Sequence, residues 1–223
     1  LIDITYYLNH YYFISLVSFL MIFLPADRYF SVKVWRNSSL EINTISTWYI
    51  NAIKLMLAIL YIHAGLAKLN PYWLLEALPL SLWLPSHSHL PIIGSLLAFK
   101  ETAYLMSWAG CLFDLFVVFF LTRDGLRVWA YVFLVVFHLA TGLLFQIGMF
   151  PYVMILLTLI FFSEEFHNRL IRFISGLLPY GDHLSHQFNK AIEFRIHKGL
   201  KYALVLFFAI QLVLPWRFLL YPG

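Results

Sequence analysis

The chain reads as an all-α, polytopic integral membrane protein, a helical bundle with about six spans in its 223 residues. Three observations predict this class. Hydrophobic residues make up 62% of the chain and charged residues 12%, with a mean hydropathy of +0.80, whereas a soluble domain carries roughly 25% charged residues. The apolar residues fall in runs long enough to cross a hydrocarbon core of about 30 Å. The aromatic complement of 22 Phe, 14 Tyr and 7 Trp suits lipid contact and interfacial belts. The composition therefore demands a lipid bilayer as partner. Net charge is only +4, and the basic residues lie between the apolar runs, so nucleic acid is not expected to bind. A single cysteine, Cys111, excludes an internal disulfide.

The expected spans are residues 6–24, 48–68, 101–121, 128–145, 149–163 and 200–220. The first would be about 28 Å long at helical rise, close to the core thickness. Pro25 closes it, and Pro215 should kink or end the sixth. The fifth is short and follows Gly148, so residues 128–163 read as a tight helical pair. The run IIGSLLAF at 92–99 is too short to cross and reads as re-entrant or interfacial. Over residues 165–178, Phe166, Leu170, Phe173, Ile174 and Leu177 alternate with Arg169 and Arg172 at helical spacing. That pattern predicts an amphipathic helix on a membrane surface. The chain opens at Leu1, with neither Met nor a basic leader, and is read as a fragment of a longer transmembrane protein.

Lysine and arginine set the expected orientation. Segment 25–47 holds Arg28, Lys33 and Arg36; the turn at 122–128 holds Arg123 and Arg127; segment 163–199 holds Arg169, Arg172, Lys190, Arg195 and Lys198. The alternate loops, 69–99 and 146–148, hold none. The basic loops are then cytoplasmic. This places His10, Lys68, His138 and Gln146 in the outer half of the membrane, on three different helices.

Ionisable groups inside apolar segments are costly and mark candidate sites. Lys68 ends the run YINAIKLMLAILYIHAGLAK. Desolvation favours a neutral amine, which can act as a general base; the alternative is that Lys68 snorkels from a helix end to the headgroups. His10 heads NHYYFISLVSFLMIFLP, where a structural hydrogen bond and a proton-transfer role are both open. His63 lies five residues before Lys68, off its face, and reads as a packing residue. His138 and Gln146 are eight residues apart, about two turns, with Thr141 between them. Asp114 sits mid-span and needs a partner or a raised pKa, with a structural link to Lys54 or Tyr104 and a catalytic role both open. His87 with His89 and His183 with His186 have ligand-like spacing but lie among Ser and Pro in loops, so no metal site is expected. Gly65 reads as a close helix contact.

The blocks NHYYFISLVSFLMIFLPADRYFS, YIHAGLAKLNPYW and FHLATGLLFQIGMFPYVM follow one another across residues 6–165. In order and spacing they resemble the membrane domain of the vitamin K-dependent gamma-glutamyl carboxylase and its bacterial relatives with the horizontally transferred transmembrane (HTTM) domain. IGMFPYVM at 147–154 is the most specific stretch. The resemblance implies that Lys68 is the catalytic base and His10 the histidine that assists it. Asn9 is then its polar neighbour and His138 the site histidine of the later helix, with Thr141 and Gln146 lining the cofactor site beside it. It also implies the reaction: vitamin K hydroquinone, or a related menaquinol, is oxidised by dioxygen to the epoxide while carbon dioxide is added to a glutamate side chain. The acceptor would be a glutamate-containing protein or peptide, and the membrane a bacterial inner membrane. The chain departs from the animal enzyme in having Ala67 where a second lysine stands, and Thr141 where an asparagine stands. The other class of expectation is a non-catalytic HTTM-type membrane protein of secretion, immunity or transport.

Overall fold

The computed structural model describes residues 9–29, 31–42, 44–145, 147–176, 193–194 and 196–216. Its elements, in chain order, are α1 (Asn9–Phe23), α2 (Val32–Arg36), β1 (Thr44–Ile45), α3 (Thr47–Lys68), α4 (Pro71–Leu74), α5 (Leu80–Trp83), α6 (Gly94–Leu97), α7 (Lys100–Leu121), α8 (Asp124–Leu144), α9 (Phe150–Thr158), α10 (Glu164–Gly176), β2 (Glu193–Phe194) and α11 (Lys198–Val213). Short 3-10 turns extend α5 over Leu84–His87 and α9 over Leu159–Phe161. The architecture is that of a polytopic helical membrane protein.

Among the described residues four helices are long and apolar enough to cross a membrane: Thr47–Lys68, Lys100–Leu121, Asp124–Leu144 and Lys198–Trp216. Two more apolar helices, His10–Phe23 and Phe150–Phe161, are shorter. The α-helical part of the last span stops at Val213 and tightens into a 3-10 turn that carries it through Pro215 to Trp216. Gly148 takes a φ of 62° in the turn between α8 and α9, a conformation glycine adopts without penalty.

The chain divides into two compact units. The first comprises Leu1–Met56 and Leu159–Val213. Within it Phe13, Val17 and Leu20 of α1, Tyr49, Ile53 and Met56 of α3, and Leu204 and Phe208 of α11 are buried. The Tyr12 hydroxyl donates to Gln211 across 3.4 Å. β1 and β2 pair in parallel, Thr44 opposite Glu193. On α10 the arginines 169 and 172 are exposed, as are Phe173 and Ile174; Leu177 lies outside the described residues.

The second unit comprises Leu57–Thr158 and Leu214–Gly223. It is built on the α7–α8 hairpin, with α9 packed on α8 and the second half of α3 on α7. Gly65 makes the α3–α7 approach possible: a Cβ there would stand 2.7 Å from the Leu115 side chain and 2.9 Å from its backbone nitrogen. The segment between α3 and α7 is a folded cap with its own core. Ala77, Leu80, Leu84 and Leu97 bury themselves against Ala103 of α7 and Leu144 of α8. Ala77 and Ile92 both have positive φ, at 53° and 72°, which is uncommon for non-glycine residues and an outlier for a β-branched one.

Candidate membrane-embedded site

The last residue of α3 is Lys68, and its amine turns back onto the bundle. Nζ donates to the carboxylate of Asp114 on α7 and, at 3.3 Å, to the Ala64 carbonyl one turn earlier. The Lys68 side chain is 21% exposed and that of Asp114 6%. The Trp73 ring covers the amine at 5.4 Å. Asp114 therefore has a partner that neither Lys54 nor Tyr104 supplies. Lys54 instead stands over the Phe161 ring at 5.5 Å, and the Tyr104 hydroxyl donates to the Leu75 carbonyl at 2.8 Å.

Trp73 is held in place from several sides. Its backbone N–H is capped by Asn70 Oδ1 at 2.9 Å, and Asn70 Nδ2 donates at 2.8 Å to Ala67, the residue before the lysine. The indole N–H donates to the Ser107 carbonyl at 3.0 Å, and the Ser107 hydroxyl donates in return to the Trp73 carbonyl. This reciprocal pair of bonds fastens the start of the cap to α7.

Two turns before Lys68 on the same face of α3 stands Tyr61, spaced so that both side chains point toward α7 and α8. Its hydroxyl is 2.7 Å from Nε2 of His138 on α8. Both are buried, at 3% exposure each. The imidazole is walled by aromatic rings: Phe113, Phe137 and Phe150 lie 6.4, 5.4 and 6.2 Å away between centroids. Its other nitrogen, Nδ1, is buried and has no hydrogen-bonding partner among the described residues. A buried nitrogen left unmatched costs about 1–3 kcal/mol. The signal for Tyr61 in the sequence is its spacing of seven from Lys68, which places the two on one face of α3.

The remaining candidates are placed as follows. Thr141 spends its hydroxyl proton on the His138 carbonyl at 3.0 Å. His10 is half-buried on α1, in the first unit, whereas Lys68, His138 and Thr141 belong to the second. Gln146 and the side chain of Asn9 lie outside the described residues. His63 directs Nδ1 to the Ile59 carbonyl at 2.8 Å and packs on Trp216. His87 and His89 stack on one another, and each directs Nδ1 to a backbone carbonyl at 3.1 Å; His183 and His186 lie outside the described residues.

A family model of the HTTM domain matches residues 1–166. The chain belongs to the HTTM domain family. Lys68, Asp114, Tyr61 and His138 all fall inside the HTTM match, which runs from the start of the chain to the first turn of α10. No solved structure matches the chain. The geometry therefore stands on its own: within the HTTM domain, one helix presents an amine and a phenol, and two neighbouring helices answer with a carboxylate and an imidazole.

Proposed function

We propose that this HTTM-domain protein is a membrane-embedded enzyme that carboxylates glutamate side chains at the expense of a lipid-soluble hydroquinone. One observation carries the reading: a lysine and an aspartate are held together inside an apolar bundle beside a tyrosine–histidine pair that has one nitrogen to spare. Four polar groups so buried are expensive, and their common use is chemistry on a molecule that arrives through the lipid.

The residues suit a hydroquinone ring. The surroundings of His138 are aromatic, with Phe113 and Phe137 stacked on one another and Phe150 edge-on to the imidazole, and His138 Nδ1 offers a position for one of the hydroxyls. When bound, vitamin K hydroquinone or a related menaquinol supplies, together with dioxygen, the strong base that glutamate carboxylation by carbon dioxide requires. Lys68 takes the hydroxyl proton in the form of the pair in which the shared proton rests on Asp114, so that the amine is neutral and free to accept it. Tyr61 fixes the His138 ring. The roles of His10 in assisting proton transfer and of Asn9, Thr141 and Gln146 toward the head group rest on the sequence alone. Trp73 and the cap keep water from the amine, which matters for a reaction that generates a strong base. The Lys and Arg residues of segments 25–47 and 122–128 support a cytoplasmic side for those segments and an outer side for the cap, while the resemblance points to a bacterial inner membrane and an exported protein or peptide as acceptor.

A second reading has its own observation. Lys68 and Asp114 neutralise one another, and Tyr61 bonds His138 through Nε2; interhelical polar links of this kind also hold together membrane proteins that catalyse nothing. A non-catalytic role in secretion, immunity or transport follows from it. The test is the same for both. The protein in lipid nanodiscs is given hydroquinone, dioxygen, labelled bicarbonate and a glutamate-rich peptide. The enzyme reading expects hydroquinone-dependent label in the peptide, matched by epoxide and lost in Lys68→Met. Wild-type protein that consumes no hydroquinone overturns it in favour of the second.

A further inference from the structure

Lys68 ends α3, yet its partner Asp114 lies fourteen residues into α7. At 1.5 Å per residue, about 21 Å of α7 extends past the point where α3 stops. That stretch of α7 is not shaped for water. Leu105, Trp108 and Leu112, spaced along one face, are 72%, 46% and 47% exposed, and the whole helix qualifies as a membrane span. Beside it, where the rest of α3 would have run, stands the cap.

The cap, residues 71–99, is also apolar on the outside. Tyr72, Leu75, Leu82, Leu96 and Phe99 are exposed, and Ile92 almost fully, at 96%. Glu76 is its one Asp, Glu, Lys or Arg side chain, and the polar run Ser86-His87-Ser88-His89 is confined to one turn. Its backbone is satisfied in a way that water would not require. Short helical turns close most of the N–H groups, and three carbonyls of the first turn receive side-chain donors from α7. These are Trp73 from the Ser107 hydroxyl, Leu74 from the Trp108 indole at 3.1 Å and Leu75 from the Tyr104 phenol at 2.8 Å. Broken helical structure with its polar groups matched internally is what a bilayer permits, and irregular backbone left open to lipid is what it forbids.

We propose that residues 71–99 are seated in the bilayer as the completing half of α3, with their exposed apolar face against lipid. The occupant of that face is the acyl-chain and headgroup boundary, continuous with the lipid around α7. The Lys68–Asp114 pair then lies well inside the membrane, roofed by the cap, and a reactant reaches it sideways through lipid. This placement is independent of the carboxylation chemistry and would hold equally for a non-catalytic protein.

Spin labels on Leu82→Cys and on Leu96→Cys, in the otherwise unaltered protein in phosphatidylcholine–phosphatidylglycerol nanodiscs, read it out. Cys111 is buried and stays in place, the wild-type protein serving as the labelling blank. Collision with oxygen, which concentrates in lipid, is compared with collision with a water-soluble nickel chelate, and a label at Asp124→Cys in the exposed α7–α8 turn marks the aqueous value. The expected result is several-fold excess oxygen collision at both cap positions, with the nickel collision rate far below that at position 124. Nickel collision equal to that at position 124 overturns the proposal and puts the cap in water. Low collision with both reagents, together with dipolar coupling between labels, also overturns it, because a second copy would then cover the face. Leu82→Asp gives a second route: a lipid-seated cap should lose nanodisc incorporation or melt earlier, whereas a cap in water should tolerate the change.

Discussion

Lys68 and Asp114 stand 46 residues apart in the chain and meet as an ion pair between α3 and α7, with Gly65 and Leu115 in contact beside them. Small residues that let two membrane helices approach closely also let a short carboxylate reach a lysine. The pair and the packing are one feature.

Removing one member of this pair should cost more than removing both. Lys68→Met or Asp114→Asn alone leaves a buried group without its partner, at about 3–5 kcal/mol, while Lys68→Met with Asp114→Leu should recover most of that loss. Thermal melts of the three variants in nanodiscs check the order. A double variant no more stable than the worse single one would show that the pair does not carry its own balance.

Turnover separates the same residues differently. With the carboxylation reading, Lys68→Ala abolishes hydroquinone oxidation, and the double variant, however stable, stays inactive. His10→Ala slows the reaction by about 10²-fold to 10⁴-fold, the range for a group that assists proton transfer. Epoxide yield at matched amounts of folded protein is the measurement.

Tyr61→Phe deletes the one described partner of the His138 ring nitrogens. The cost should be about 1–3 kcal/mol, that of leaving a buried polar atom unmatched. Nitrogen-15 chemical shifts of the imidazole should move as its tautomer is released. Unchanged shifts would mean that the phenol does not set the ring's protonation pattern.

Gly65→Ala puts a methyl group 2.7 Å from the Leu115 side chain and 2.9 Å from its backbone nitrogen. Overpacking of this kind costs about 1–3 kcal/mol. Leu115→Ala should restore only part of it, since the backbone contact remains. Stability of the single and paired variants decides the matter, and full rescue would indicate that only the side chain is in the way.

Outside the spans, the Lys33 ammonium, 2.5 Å from Asp27, holds that carboxyl below the usual carboxylate range. A carboxyl lowered in the folded state contributes stability above its unfolded pKa, near 3.9, and loses it as pH falls through the lowered value. Local order of the turn around Ser31, whose hydroxyl donates to the Asp27 carbonyl at 2.6 Å, should therefore persist at neutral pH and fade below pH 4. Carbon-13 titration of Asp27 checks this, with Lys33→Met expected to return the carboxyl to its ordinary range.

The long helices were legible because hydropathy is a local property: α3 ends at Lys68 and α7 at Leu121, where the apolar runs end. The partner of Asp114 was not. Depth counted from helix ends assumes that neighbouring helices start level, and α7 starts about fourteen residues before the level of Lys68. The same offset hid the cap, whose turns are too short for periodicity and whose core, from Ala77 to Leu144, is assembled from distant segments. Tyr61 was passed over because tyrosines in membrane helices usually mark interfaces; only the facing histidine shows that this one points inward.

The order of synthesis gives the lysine two lives. At about 5–20 residues per second, the 46 residues between Lys68 and Asp114 take about 2–9 s to make. The hydrogen-bond donors that fasten the cap, Tyr104, Ser107 and Trp108, arrive in the same interval. During it α3 must enter the bilayer with its terminal amine unmatched, and a lysine at a helix end can meet that demand by reaching to the headgroups. Snorkelling and ion pairing are then successive states of one side chain, and the arrival of α7 is the event that draws the amine inward and closes the roof over it.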